Sequence, residues 1–528
     1  MRQGDARDKG QLDVAGPTVA INSNVALVLG ADIEGLAAAA TLAKAGRTVH
    51  VIDARSNAGG PAARVPFADA YSAPGLLNEC SLVRRSLLAG LELEQFGLRW
   101  RPEETALHVL RDGAPPIAIR RDHVDGLDSS EAEAYLDWRA FLDRIGTLVR
   151  HVIDTAPPEI DEPGLTDLFE LARQGLRLRS LGDRDMMELL RIVTLPAHDW
   201  MDERFSSSAL QAGLVAPVLT GTVVGPRAAG TTAMILMREA TRGVEPVGGL
   251  AALVDALVRR CEDLGVTFHF GRAPTGILID PRDRRIRGVR FGDGDLHSAL
   301  VVSALDPAET LLDLVDPGLL PHHVEAEVQS WRRRGDTAVQ LIACSTAPDF
   351  GAAESQGSID RFLTARSLVQ LERAADALKY RALPEEACLD VRIWRGEGEA
   401  PAGGATLVVH VHGVSHGGPD GWDEGSRSLL RDRIVRTLEQ SCPGMRDSIV
   451  DELLLTPCDL ERRFNLPGGH LHYGEQALDQ LWLQRPSLAL SRYATPITGL
   501  FLASAGSHPG GPYLGGAGVL GARRALDS

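Results

Sequence analysis

Lysine is nearly absent: Lys9, Lys44 and Lys379 are the only three among 55 basic residues. We read that bias as genome composition, without chemical meaning. Cysteine is sparse as well. The six (Cys80, Cys261, Cys344, Cys388, Cys442 and Cys458) are scattered, with no Cys-x-x-Cys pair and no His/Cys spacing of a metal site, as expected for reduced thiols in a cytoplasmic protein. No run of about 20 uncharged apolar residues occurs, so no bilayer-spanning segment is expected. The first twenty residues lack the apolar stretch of a secretory signal and read as a loose tail. Basic charge is in deficit, 55 residues against 71 acidic, leaving a net charge of -16 that repels phosphate polymers and excludes nucleic acid as a partner. What remains is a chain of 528 residues, 44% apolar and 24% charged, typical of a soluble globular protein and long enough for at least two cores.

The strongest local signal runs from residue 24 to 55. An apolar run (Val25 to Leu29) leads into Gly30, an Ala/Leu-rich stretch ends at Gly46, and a second apolar run (Thr48 to Ile52) closes on Asp53. This is strand, glycine turn, helix, strand, with strands apolar throughout because a parallel sheet is covered on both faces. Residues 248 to 306 give a helix through Leu250, Leu253, Ala256 and Leu257, then four short strands (VTFHF, ILID, VRF, VVSA) expected to form a small sheet layered on the first. GLFLASAG (499 to 506) reads as a last buried strand and Ala517 to Leu526 as a final helix.

Between these pieces, residues 129 to 155 read as an amphipathic helix, with Ser130 and Glu133 as its capping box and Tyr135, Trp138, Leu142, Ile145, Val149 and Val152 on its buried face. Helical material continues from 160 to 240. Residues 335 to 455 alternate strand-like runs with a helix from 426 to 441, and the loop 396 to 404 reads as an exposed excursion. The expected fold is α/β: a Rossmann-like FAD/NAD(P)-binding domain built from three chain segments (24–105, 241–320 and 456–528) after a flexible tail (1–23), and an α+β substrate domain (106–240 and 321–455).

In a dinucleotide turn one glycine makes the bend, one admits the pyrophosphate, and one lets helix and strand pack closely. Here those positions hold Gly30, Asp32 and Gly35, and the acidic strand end is Asp53. The paired Gly59 and Gly60 follow. The string from Gly30 to Arg64 resembles the opening of phytoene desaturase-like flavoproteins. TPCDLERRFNLPGGHLHYGEQALDQLWLQRP (456 to 486) and TPITGLFLASAGSHPGGPYLGGAGVLGARRAL (495 to 526) resemble one branch of them, the family of pyridine nucleotide-disulfide oxidoreductase domain-containing protein two. GTVVGPRAAGTTA (221 to 233), VGGLAALVDAL (247 to 257) and VVSALDPAETLLDLVDPGLLP (301 to 321) extend the likeness across nearly everything from residue 24 onward.

The resemblance implies FAD as cofactor, no metal, and no separate NAD domain. It implies ADP contacts at Gly30, Asp32, Gly35, Asp53, Gly59 and Gly60, and ribityl or ring contacts around Gly506, Gly516 and Ala517. It implies hydride removal from a C–H of an apolar small molecule, with oxygen or a quinone as acceptor and at most peripheral membrane contact. Candidate proton carriers are His470, His472 and Tyr473 in GGHLHYGE and His508 in GSHPGG, with Arg227 as a candidate substrate anchor. His410, His412 and His416 have no carboxylate or cysteine at ligand spacing, so no metal site is expected there.

Three positions depart from the family pattern where the cofactor should touch: Asp32 for the second glycine, Ser504 for a glycine of the last strand, and Val519-Leu520 for an Arg-Asn pair. A carboxylate about 5 Å from one phosphate charge costs roughly 3 kcal/mol at an effective dielectric of 20, about a hundredfold in affinity. Aspartate is also a good helix N-cap and could accept the amides a phosphate would use. The main reading is an FAD-dependent oxidoreductase; the alternative is a flavin-free family member acting as a non-redox isomerase, lyase or binding module.

Overall fold

The computed structural model describes residues 24–160, 163–351, 359–419 and 421–528; the expected N-terminal tail lies outside these. Strand β1 (Val25–Leu29), helix α1 (Ile33–Lys44) and strand β2 (Thr48–Asp53) form the expected βαβ unit. The sheet built on it has five strands, all parallel, in the order Leu500–Leu502, Leu300–Ser303, β1, β2, Thr267–Phe270. Three distant chain segments thus supply one sheet.

Its two faces are covered differently. Ala26, Val28, Val49 and Val51 pack under α1, the helix Gly249–Asp263 and the terminal helix Gly516–Leu526, whereas Leu27, Leu29, Ile52 and Val301 pack against a three-stranded antiparallel sheet. That smaller sheet holds Pro274–Asp280, Arg285–Phe291 and Gly294–His297. The four short strands read from the sequence therefore divide: VTFHF and VVSA join the parallel sheet, and only the middle two belong to the layered one. Alanines 37 to 40 of α1 are fully buried, and their small side chains let the terminal helix come close. A Cβ on Gly518 would lie 2.1 Å from the Glu34 carbonyl oxygen.

An eight-stranded, mostly antiparallel sheet forms the other half of the molecule, in the order Ile449–Leu455, Thr337–Cys344, Ala405–His412, Leu389–Trp394, Arg361–Leu363, Leu107–Arg111, Ala114–Ile119, Val124–Asp125. The long helix Ser129–Asp154 packs with Ser208–Leu219 and Thr231–Thr241 in a second core. Its cap differs from the expected box: Asp128 is the N-cap, and its carboxylate accepts the Glu131 amide at 2.9 Å. Ile153, rather than Val152, ends the buried face. The loop 396 to 404 is also less exposed than expected, because Glu399 and Ala400 are buried and the Glu399 carbonyl accepts the Ser72 amide.

Candidate functional site

The parallel sheet ends in a crevice flanked by the amino ends of α1 and the terminal helix. Both ends present backbone amides that attract anions, and both are engaged by carboxylates of this chain. Asp32, the N-cap of α1, accepts the Gly35 amide at 2.9 Å. Glu34, two residues on, reaches across to the terminal helix, where its two oxygens accept the amides of Gly515 and Gly518, each at 2.7 Å. Burial pushes the Glu34 carboxyl up to about 8, against the opposing effect of those two amides. Burial also raises Asp32, opposed by the Arg55 charge, the Gly35 amide and a hydrogen bond from Tyr473.

Asp53 is equally committed. It accepts the Ala31 amide at 2.6 Å, the Arg55 amide at 2.8 Å, and the Arg55 guanidinium through Nε at 2.9 Å and Nη2 at 2.5 Å. The guanidinium lies over Gly60, where a Cβ would be 2.2 Å from Arg55 Nη1. Gly59, at φ +103°, gives its amide to the Ala31 carbonyl at 2.7 Å. Gly30, at φ +94°, is packed on Ala304. Ser504 accepts the Gly506 amide at 3.1 Å, and Gly516, Ala517, Val519 and Leu520 are buried. Leu466, Leu471 and Tyr473 enter the same apolar core as α1.

FAD needs free amides at both helix ends, a free acidic strand end for its ribose, and open space over the paired glycines. Here Asp32 takes one of those amides and Glu34 two, Arg55 holds Asp53, and its guanidinium lies over Gly60. The nine residues expected to bind the cofactor do come together, but as a packed, self-satisfied interior. As arranged, they do not fit a dinucleotide.

The residues expected to carry protons scatter to different roles. His470 Nε2 donates to the Gly221 carbonyl at 3.2 Å while its Nδ1 accepts the amides of His472 and Gly474 at 3.1 and 3.2 Å, so the ring is a loop brace. Burial pushes it down to about 4. Tyr473 faces Asp32, and burial together with that carboxylate raises its phenol well above the ordinary range. His508 Nε2 donates to the Val152 carbonyl at 3.0 Å, which ties the loop to the long helix, and burial brings it to about 4. Arg227 is exposed in its loop, with its backbone amide on Glu372 at 3.0 Å, and lines no cavity with the others. His472 Nδ1, like His508 Nδ1, is buried with no hydrogen-bond partner.

His472 opens on a chamber of about 30 Å³ between the large sheet, the helices and the two glycine-rich loops. Its wall holds Asn78, Glu79, Arg238, Arg361, Asp390, His410 and Gln476 beside Leu82, Met234 and Tyr513. Glu79 meets Arg238 at 2.9 Å and Arg361 at 3.3 Å, and Arg361 meets Asp390 at 2.7 Å. Behind them Glu239 joins Arg139, Arg238 and Arg242 at 2.7, 2.5 and 3.0 Å. Burial raises Glu79, but the two guanidinium groups outweigh it and hold the carboxyl well below its usual range. The wall thus sets paired charges beside an apolar lining of Leu77, Leu82, Val218 and Met234.

Sequence reasoning missed Glu34, Arg55 and the whole chamber network. It also missed Arg485, a fully buried cation whose guanidinium donates to the carbonyls of His472, Gly474, Glu475, Gln480 and Ala505 at 2.9–3.3 Å and lies over the Trp331 ring. Arg485 ties one glycine-rich loop to the other, and burial lowers it to about 9. Among the described residues, no group of three His, Cys, Asp or Glu side chains is arranged to hold a metal ion, and no helix is long and apolar enough to cross a membrane.

Comparison with known proteins agrees with the resemblance read from the sequence. A family model described as an NAD(P)-binding Rossmann-like domain matches residues 28–76. Pyridine nucleotide-disulfide oxidoreductase domain-containing protein 2 of Mus musculus is 25% identical over 93% of this chain and 91% of its own. Phytoene desaturase of Fusarium fujikuroi is 26% identical over 54% of this chain and 51% of its own. Among solved structures, wild-type putrescine oxidase bound to putrescine superposes with a TM-score of 0.59 at 16% identity, covering 95% of this chain and 98% of that one. Cyclohexylamine oxidase from Brevibacterium oxydans IH-35A gives 0.56 at 14% identity, covering 95% and 97%. The architecture is an α/β fold shared with these two oxidases, with a Rossmann-like domain.

Proposed function

We propose that this chain is a flavin-free relative of the flavin-dependent oxidoreductases, which keeps their architecture, fills the dinucleotide crevice with its own side chains, and acts without redox chemistry through the polar chamber. One observation carries the reading. Asp32 and Glu34 take the amides at both helix ends, at 2.7–2.9 Å, where the cofactor's oxygens would otherwise be bound. These side chains accept hydrogen bonds that a helix N-terminus offers to an anion, so a phosphate arriving there finds three donors already engaged.

The chamber still offers hydrogen-bonding groups to a ligand, and burial keeps its His472 neutral with an unpartnered ring nitrogen. A second reading, FAD-dependent hydride removal from an apolar small molecule, has the relatives' names in its favour. It requires Asp32, Glu34, Arg55 and Tyr473 to leave their present partners together. Titration of the purified full-length chain with FAD separates the two. The expected result is a colourless protein with no saturable flavin uptake; near-stoichiometric uptake with a protein-bound flavin spectrum would return the chain to the redox reading.

A further inference from the structure

Three polar groups on the chamber wall stand out because its charged side chains are paired. Asn78 gives its Nδ2 to the carbonyls of Asp390 and Val408 at 2.8 and 3.3 Å, which fixes its Oδ1 as an acceptor, and that oxygen is buried without a partner. Gln476 Nε2, a donor, is likewise buried and unpartnered, as is His472 Nδ1. All three residues are at least nine-tenths buried and line the same chamber. Buried polar atoms without partners are rare in native proteins, because each costs its full desolvation. Three residues carrying such atoms line one cavity, where a bound ligand would complete the bonding.

The wall also sets the ligand's charge. Arg238 and Arg361 are each held by carboxylates, and Glu79 and Asp390 by guanidinium groups. An anion would approach Glu79 and Asp390, and a cation would approach the two arginines, so neither sign is favoured. The ligand is neutral, offering one donor to Asn78 Oδ1 and one acceptor to Gln476 Nε2. The size fits the same group: about 30 Å³ holds roughly two water-sized units, which the nitrogen and oxygen ends of a carboxamide match. The apolar flank of Leu82, Val218 and Met234 suits a short hydrocarbon stem.

We infer that the chamber is a binding site for a small neutral ligand bearing a primary carboxamide, held between Asn78 Oδ1 and Gln476 Nε2 with His472 as the adjoining neutral group. The inference rests on the flavin-free reading, because it makes this chamber the working site.

The test is titration of the full-length protein with acetamide, followed by ligand-observed NMR, beside acetone, which lacks the donor, and acetate, which adds charge. Saturable acetamide binding is expected, at least tenfold tighter than either control. Gln476→Met keeps the side-chain length, breaks no hydrogen bond of the folded chain, and is expected to weaken acetamide at least tenfold while leaving the melting temperature unchanged or raised. If the variant does not fold, the three-probe comparison decides alone. Absence of saturable acetamide binding, meaning a chamber that holds ordered water only, overturns the inference, and so does equal binding of acetone. A yellow protein that binds acetamide would fail the flavin-free reading alone. A colourless one blind to acetamide would fail this inference alone.

Discussion

The crevice beside α1 and the chamber beside the large sheet are both buried and both rich in charge, yet they are built to opposite ends. In the crevice the carboxylates of Asp32, Glu34 and Asp53 all find partners within the chain, mostly backbone amides a few residues away or on the neighbouring helix. In the chamber the charges are paired but Asn78, His472 and Gln476 each keep an atom unbonded. A site that has lost its ligand is expected to satisfy itself, because unpartnered buried groups are costly. A site that still has one leaves its contact atoms free.

That contrast can be broken most forcefully at the chamber's ion network. Arg361→Ala leaves Glu79 and Asp390 short of a cation in a buried setting, and removing one partner of a buried pair costs about 3–5 kcal/mol. Denaturant unfolding checks it, and a loss below about 1 kcal/mol would mean the network is solvated. At the crevice, Asp32→Gly together with Glu34→Asn frees both sets of helix amides. Removing a carboxylate roughly 5 Å from phosphate is worth about 3 kcal/mol, so the double variant is expected to take up FAD at least a hundredfold better than the parent in a fluorescence-quenching titration. Equal, negligible uptake by both would show that Arg55 and Tyr473 close the crevice by themselves.

The pH dependence of stability sharpens the same comparison. Glu34 is raised to about 8 and Asp336 and Glu309 to about 7, all chiefly by burial. The native state therefore holds protons that the unfolded chain has released, and stability falls as pH rises toward 8. His412, His470 and His508 are lowered to about 4 by burial, so the unfolded chain takes up protons first and their contribution falls below about 6.5. From about 4.5 to 6.5 the two sets oppose one another, and above about 6.5 the carboxyls act nearly alone, so thermal melts are expected to fall from pH 6.5 to 8. Glu34→Gln should flatten the alkaline side by an amount on the order of 1 kcal/mol, and an unchanged alkaline slope would place its titration elsewhere. The smallest effect is expected from Arg227→Ala, within about 0.5 kcal/mol and without change in ligand binding, because its side chain is exposed.

Much of the fold was legible because its signals are local. Continuous apolar runs at 25–29 and 48–52 with Gly30 and Gly46 between them define the βαβ unit. The division of the four strands after residue 266 was not legible, since run length and composition do not say which sheet a short strand joins. Asp32 as a helix cap could be read from residue type and place, and it is one. Glu34 carried a signal that went unused: a lone acid inside IEGLAAAATLAK, where every neighbour is apolar, must find a buried partner. The chamber was invisible for a different reason. Glu79 meets Arg238 and Arg361 across 159 and 282 positions of chain, and no periodicity reports such a pairing. The histidines of GGHLHYGE were legible as a cluster but not as individuals, because backbone turns decide that His470 braces the loop while His472 faces the cavity.

A crystal structure of the full chain grown with excess FAD tests the central claim most directly. The account predicts the Asp32 carboxylate on the Gly35 amide, Glu34 bridging Gly515 and Gly518, and Arg55 closed over Gly60. Continuous density for an adenine dinucleotide along the amino end of α1, with those side chains displaced, would contradict it.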